Sequence, residues 1–306
     1  MHQIGACVRA PPDRLLPWRI AYPDRRGGVF SLSLKNCAAV GTQARRDSLV
    51  RIAMDPQTLQ LLCDPETHVP LELAGGSLRN PDSEQCYPIR DGIPVFLREV
   101  SGLNRKYQSM YDRLAPGYDF AERLYYWISR KPSHRLEYIR ELEIAAGAQV
   151  IEVSVGTGAN LSFLRKEIEF FGLDLSWGML RKCRRKLKRW QRDAQLFQGE
   201  AERLPFRDAV FDCVFHVGGI NFFNDKARAI TEMVRVARSG TKIVIVDETE
   251  TYVREGYQKN PLTRSYYEGQ EKAAFCPIGL VPAEMGEIQA RQIAEGKMYC
   301  LTFRKP

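Results

Sequence analysis

Residues 150–161 read VIEVSVGTGANL. β-favouring residues run up to an acid, Glu152, and a glycine-spaced turn, Gly156-Thr157-Gly158, follows. In an open parallel sheet, ligands sit at the carboxyl ends of the strands, where the strand order reverses. A strand, a glycine turn and a helix at that point offer backbone N–H groups and a positive helix end. Glycine also lets a ligand approach closely, because no Cβ stands in the way. A phosphate-binding P-loop is excluded, since no Gly-Lys-Ser/Thr follows. The dinucleotide fingerprint wants a third glycine three residues after the second, and residue 161 is leucine. The next stretch, FFGLDLSWGML, puts Asp174 at the end of a second strand. A carboxylate there can take both hydroxyls of a ribose, which fits NAD or an adenosyl cofactor.

These groups need a scaffold. Strand-like runs lie at 148–153, 170–175, 196–200, 211–217 and 242–248. Between them, helical spacing aligns Leu180, Cys183, Leu187 and Trp190 in 176–193, and Ile230, Met233, Val234 and Ala237 in 224–238. Asn224 is the expected N-cap of the second helix and Gly240 its expected stop. Strand–helix alternation predicts an α/β fold with a doubly wound parallel sheet. The C-terminal IQARQIAEGKMYCLTFRKP reads as two strands joined by a Glu-Gly-Lys turn, an antiparallel pair closing one edge. Residues 54–100 read as a separate β-rich unit: a short capped helix in DPQTLQLL, then turn-separated strands in VPLEL and CYPIRDGIPVFL. The chain is thus divided into an irregular extension (1–53), a small unit (54–100) and the main domain (101–306).

Two stretches add a resemblance. The series E-x-S-x-G-x-G, GLDLSWGML, GEAERLPF and FDCVFHV, in this order, resembles class I S-adenosylmethionine-dependent methyltransferases, nearest to the type 11 group that includes quinone-biosynthesis enzymes. NRKYQSMYDRLAPGYD (104–119) resembles the helical entry segment of that group. The resemblance implies a mostly parallel seven-stranded sheet and S-adenosylmethionine as cofactor. By position, Glu152, Gly156 and Gly158 would hold its methionine part and Asp174 the ribose. Leu175 and Ser176 would border the adenine, and Glu200 and Ala201 would sit at its amino edge. Tyr107, Tyr111 and Tyr118 would close the pocket from the entry helix. Ser154 stands where the family has its first glycine. Residues 54–100, through LLCDPETHVPLELAGG and YPIRDGIP, resemble the small zinc-ribbon-like domain of methyltransferase activators. The metal-binding forms use two cysteine pairs. Here only Cys63 and Cys86 stand near those positions, Glu66 lies where a second cysteine is expected, and His68 is distant. A closed zinc site needs four ligands, so the unit is expected to be metal-free.

Methyl transfer needs a nucleophile held in line and shielded from water, and a general base only if the acceptor must lose a proton. His216, Asp247 and Glu248 are the candidate bases at strand ends, with Asn221, Phe222 and Phe223 as candidate pocket walls. Each has a plainer reading: His216 as a satisfied core histidine, Asp247 and Glu248 as strand-end caps, the phenylalanines as core. Tyr266 and Tyr267 read either as a lid over the acceptor or as packing.

The formal charge is +8, but residues 1–53, with nine Lys or Arg and three Asp, hold +6 of it. The remainder is nearly neutral, which weakens an inference to nucleic acid from charge. The basic run RKCRRKLKRWQRD (181–193) keeps helical apolar spacing and reads first as a solvated face, second as a phosphate-tracking surface. Eight scattered cysteines without a CxxC pair read as reduced thiols. No apolar run has membrane-spanning length and no secretory signal is visible, so a cytoplasmic protein without membrane contact is expected. The leading functional reading is methylation of a small molecule. An RNA methyltransferase, a non-catalytic cofactor-binding scaffold and, more remotely, an NAD dehydrogenase are the alternatives. Oligomeric state is not legible.

Overall fold

The computed structural model describes residues 54–129 (backbone only over 121–129), 133–256 and 276–306. Residues 1–53, and Tyr266 and Tyr267, lie outside the described residues.

Asp55 caps the first helix, α1 (Pro56–Leu61), by accepting from the N–H groups of Gln57 and Thr58. A four-stranded antiparallel sheet follows in sequence order: β1 (Glu72–Ala74), β2 (Ser77–Arg79), β3 (Cys86–Arg90) and β4 (Ile93–Pro94). Gly75 and Gly76, both at positive φ, make the two-residue turn between β1 and β2 that only such residues allow. Two turns of this unit face each other across a polar knot. Asp64 accepts from the backbone of Glu66 and Thr67, and Asn80 Nδ2 donates to Asp64 (2.9 Å) and to Thr67 Oγ1 (3.1 Å). Burial opposes ionisation of Asp64, yet these donors hold its carboxyl below the usual range. Cys63 does not join the knot. It is buried, and burial pushes its thiol up to about 12. Among the described residues no three Cys, His, Asp or Glu side chains are grouped to hold a metal.

The main sheet has seven strands: β5 (Gln149–Val153), β6 (Glu169–Asp174), β7 (Gln195–Gln198), β8 (Cys213–Val217), β9 (Lys242–Glu248), β10 (Gly286–Ile293) and β11 (Met298–Arg304). Their spatial order is β10-β11-β9-β8-β5-β6-β7. The pairs β5–β6, β6–β7, β5–β8 and β8–β9 are parallel, while β9–β11 and β10–β11 are antiparallel. This is the doubly wound, mostly parallel sheet with an antiparallel edge that the alternation predicts. The order reverses at β5, between β6 and β8.

The helices differ in detail from expectation. The amphipathic 176–193 segment becomes α4 (Trp177–Trp190), with Ser176 capping through Met179 N–H. α5 (Lys226–Val236) is capped by Asp225, not Asn224. Asn224 instead ties down the start of the entry helix, accepting from Leu103 N–H and donating to the Ser101 carbonyl. Gly240 stands three residues beyond α5's extended C-cap, Ala237, where it turns the chain into β9 at φ 81°. No α-helix follows the glycine turn: Ala159–Phe163 makes one 3₁₀ turn. The entry segment is a long helix, α2 (Gly102–Ser129), with Pro116 inside it. Short helices α3 (Arg135–Ile139) and α6 (Glu250–Gly256) complete the set among the described residues.

The small unit and the sheet share one core. Leu62, Leu71, Leu78, Tyr87 and Phe96 pack in the same buried cluster as Phe171, Phe197, Phe206 and Phe211. Phe96 N–H donates to the Gln198 carbonyl at the free edge of β7 (2.7 Å), Cys63 N–H to Pro205, and Arg207 N–H back to Leu61. The unit thereby covers a sheet edge that would otherwise be open to strand pairing.

Candidate functional site

A cavity of about 320 Å³ opens at the carboxyl ends of β5, β6, β8 and β9. This volume lies at the lower end of the range of small-ligand pockets. Its walls come from the glycine turn after β5, the end of β6, the Gly218-Gly219 turn after β8, and α2 laid across the top.

Asp174 is almost fully buried, and its carboxylate is fixed by backbone donors. Oδ2 accepts from Gly156 N–H (2.7 Å) and Oδ1 from Ser176 N–H (2.8 Å). Each oxygen keeps a further lone pair, the arrangement a vicinal diol requires. Burial, with the nearby charge of Asp112, pushes Asp174 up to about 6. Gly156 lies at φ 55°, and a Cβ there would meet nothing within 4 Å. Gly158 plays another part. It does not line the cavity, and a Cβ on it would stand 2.6 Å from Cys183 Sγ, so it lets the turn pack on α4. Ser154 lines the cavity at φ 65°, a conformation that favours glycine.

Glu152 also lines the cavity, at 1% exposure. Asn160 Nδ2 donates to its Oε1 (2.5 Å), while Oε2 is buried with no protein partner. Burial pushes this carboxyl up to about 8. A buried acceptor without a donor costs stability unless a ligand supplies one.

Leu175, Ser176 and Tyr118 line the cavity as expected of cofactor contacts, as do Tyr107 and Tyr111 from α2. Glu200 and Ala201 do not. Glu200 accepts from Asn104 Nδ2 (3.0 Å), and Asn104 is the residue that reaches the cavity wall. Of the three candidate bases, Glu248 lines the cavity. His216 sits within β8, fully buried, with Nδ1 on the Val153 carbonyl (2.9 Å) and its ring edge-on to Phe223. Burial lowers its pKa to about 4. Asp247 is buried outside the cavity, accepting from Asn221 N–H and Glu248 N–H; burial raises its pKa. Both residues organise backbone rather than face a ligand. Phe222 and Phe223 line the cavity, and Phe222 stacks on Tyr107 at 4.2 Å, so these residues serve as pocket and core at once. Asn221 is buried and bonds the Glu248 carbonyl.

His134, Arg135 and Asn160 also line the cavity, and no sequence signal pointed to them. They come from α3 and the 3₁₀ turn, which carry no recognisable spacing.

The strand order, the switch-point cavity and the buried Asp174 carboxylate at the end of β6 coincide with a known family. Residues 151–245 match the methyltransferase domain family of type 11. This segment is similar to a methyltransferase domain. The chain has relatives of known name. A demethylmenaquinone methyltransferase of Lactiplantibacillus plantarum is 30% identical over 47% of this chain and 62% of its own length. The ubiquinone/menaquinone biosynthesis C-methyltransferase UbiE of Syntrophotalea carbinolica is 28% identical over 56% and 70%. A phosphatidylethanolamine N-methyltransferase of Cereibacter sphaeroides is 34% identical over 34% and 52%. The chain therefore spans less than two thirds of the length of the first and third of these relatives. Among solved structures, the [4+2]-cyclase SpnF superposes with TM-score 0.52 at 15% identity, covering 68% of this chain and 98% of that one. The Haemonchus contortus phosphoethanolamine N-methyltransferase 2, in complex with S-adenosyl-L-methionine, gives TM-score 0.51 at 13% identity, covering 70% and 62%. At such identities the likeness is one of fold. That a cyclase shares it is a reminder that fold and reaction are separate matters.

Proposed function

We propose that the protein is an S-adenosylmethionine-dependent methyltransferase acting on a small molecule with a planar apolar body, of the quinol type. The observation that carries the reading is the Asp174 carboxylate, fixed by two backbone N–H groups at the switch point, beside the unpartnered Glu152 oxygen. The donor set fits the cofactor: Asp174 for the ribose hydroxyls, Glu152 for an ammonium group, Gly156 for close approach, Leu175 and Ser176 at the adenine. When bound, S-adenosylmethionine supplies a methyl group made electrophilic by the sulfonium. The chain's own residues do the rest. The cavity is also walled by Tyr111, Phe222, Phe223, Tyr252 and Met298, an apolar and aromatic surface suited to orienting a flat acceptor and keeping water from it. Glu248, the one of the three candidate bases that lines the cavity, is our choice for the group that takes a proton from that acceptor. The quinone-methylating relatives support this choice, and the amine-methylating one sets the second acceptor class to try.

Residues 54–100 read as an activator-like unit carried in cis and metal-free. An RNA substrate finds less support, because half of the eight basic residues of 181–193 are engaged within the protein. Lys182 and Lys186 pair with Asp119, Arg184 with Asp91, and Arg192 with the carbonyls of Leu161, Leu164 and Arg165. The test is calorimetric titration with S-adenosylmethionine, with NAD as control. Label transfer from methyl-labelled cofactor to a quinol, an ethanolamine phospholipid and RNA follows. Micromolar cofactor binding and label in the quinol are expected. Absence of cofactor binding, or label only in RNA, overturns the reading.

A further inference from the structure

Behind the glycine turn runs a chain of side chains that the methyl-transfer chemistry does not call on. Tyr138, on α3 and fully buried, donates its hydroxyl hydrogen to Asn160 Oδ1 (2.7 Å). Arg135, from the same helix, donates NH1 to that same oxygen (2.5 Å) and to the Tyr138 hydroxyl oxygen (3.1 Å). With its carbonyl oxygen so occupied, Asn160 has one orientation. Its amide nitrogen points at Glu152 Oε1 (2.5 Å). A flipped amide would set N–H against two donors, which burial at 3% exposure makes costly. Glu152 then has one oxygen satisfied and one, Oε2, buried with no partner at the wall of the cavity.

We infer that Asn160, locked by Arg135 and Tyr138, is a positioning residue that turns Glu152 so that its second oxygen awaits the ammonium group of the bound cofactor. These four side chains thereby form the subsite that distinguishes an amino-acid-bearing nucleoside from a bare one. The inference rests on the cofactor reading above and adds a specificity to it. The ligand chemistry follows from the donor count: an oxygen that lacks a donor is matched by an N–H-bearing cation and not by an anion. A thioether nucleoside without the amino-acid part reaches the Asp174 end and leaves Oε2 unmet.

The experiment is direct binding of two ligands to the full chain, S-adenosylhomocysteine and 5′-methylthioadenosine, which differ by that amino-acid part. Wild type is expected to prefer S-adenosylhomocysteine. Asn160→Ala is expected to weaken S-adenosylhomocysteine about 10-fold, the scale of a hydrogen bond to a charged group, and to leave 5′-methylthioadenosine within about twofold. Tyr138→Phe removes one hydroxyl from the chain, and is expected to give a smaller loss with the same selectivity. It serves where Asn160→Ala fails to fold by circular dichroism. Equal loss of both ligands in a folded variant, or no loss of either, overturns the positioning role. Failure of wild type to bind either ligand strikes the cofactor reading itself, so the two failures are told apart.

Discussion

Ser154 is the residue at which backbone preference and sequence disagree. Its φ of 65° lies in the left-handed region, where an L side chain costs about 1–2 kcal/mol. Glycine there loses part of that gain through unfolded-chain entropy. Ser154→Gly is therefore expected to stabilise the protein by about 1 kcal/mol, a rise of about 2–4 °C in thermal midpoint. Because Ser154 lines the cavity, cofactor affinity should rise as well; calorimetry of the variant reads both. The same scale carries a pH prediction. Burial raises Glu152 to about 8 and Asp174 to about 6 in the protein without ligand. An ammonium and a ribose diol both favour the ionised carboxylates. Binding at pH 7 should then release protons, mostly from Glu152, and affinity should climb as pH rises toward 8 and fall steeply below 6. Titration in two buffers of different ionisation enthalpy counts the protons; uptake in place of release contradicts the assignment. That Glu152, Gly156 and Asp174 line the cavity was legible, because strand ends and turns carry a readable spacing. Asn160 and Arg135 were not, since they meet Glu152 only through the packing of α3 on the glycine turn. His216 was misplaced for a related reason: strand alternation does not reveal that its ring is taken by the Val153 carbonyl.

At the scale of elements, α2 is held down by polar side chains at helical spacing. Asn104 reaches Glu200 and Glu202, Gln108 the Leu175 carbonyl, Asp112 Ser176 Oγ (2.6 Å) and Gly178 N–H, and Asp119 Thr157 Oγ1 (2.7 Å) and Lys186 (2.5 Å). Burial opposes the charge on Asp119, but Lys186 and Thr157 keep its carboxyl below the usual range. Thr157 belongs to the glycine turn and lines the cavity, so this contact couples the helix to the cavity wall. Asp119→Ala should speed hydrogen exchange over 112–120 and weaken cofactor binding several-fold, while exchange in β5 and β9 stays unchanged. Equal deprotection of those strands contradicts a local clamp. The sequence foresaw an entry helix yet not its seam, because polar residues every fourth position look the same on a solvated face. It also foresaw a helix after the glycine turn. The 3₁₀ turn found there has a local cause: the first residues after Gly158 are committed, Asn160 to Glu152 and Ser162 to the Ala159 carbonyl. Only a short stretch then remains before β6.

For the molecule as a whole, the open question is where one cooperative unit ends. Residues 54–100 read in sequence as a domain apart, since their turns and strands carry their own resemblance. Their apolar residues do not close on themselves. Leu62, Tyr87 and Phe96 enter the cluster around Phe197 and Phe206, with Tyr87 and Phe96 rings 4.9 Å apart and Phe197 and Phe206 edge to face at 5.0 Å. A unit of this size rarely holds together alone without metal or disulfides. Asp64 and Asn80 join its turns by hydrogen bonds, each worth about 1 kcal/mol net, where a bound zinc would give far more. The rest must come from the shared core. Residues 54–306 are thus expected to unfold together. Three buried thiols report the matter: Cys63 in the small unit, and Cys213 and Cys300 in the sheet. Pulse alkylation across a denaturant series, read by peptide mass, should give one midpoint for all three. Leu62→Ala should lower that common midpoint by the equivalent of about 3 kcal/mol. If Cys63 becomes reactive at clearly lower denaturant than the other two, the small unit opens independently. Its cover over β7 would then be a hinged attachment rather than part of the core that positions Asp174.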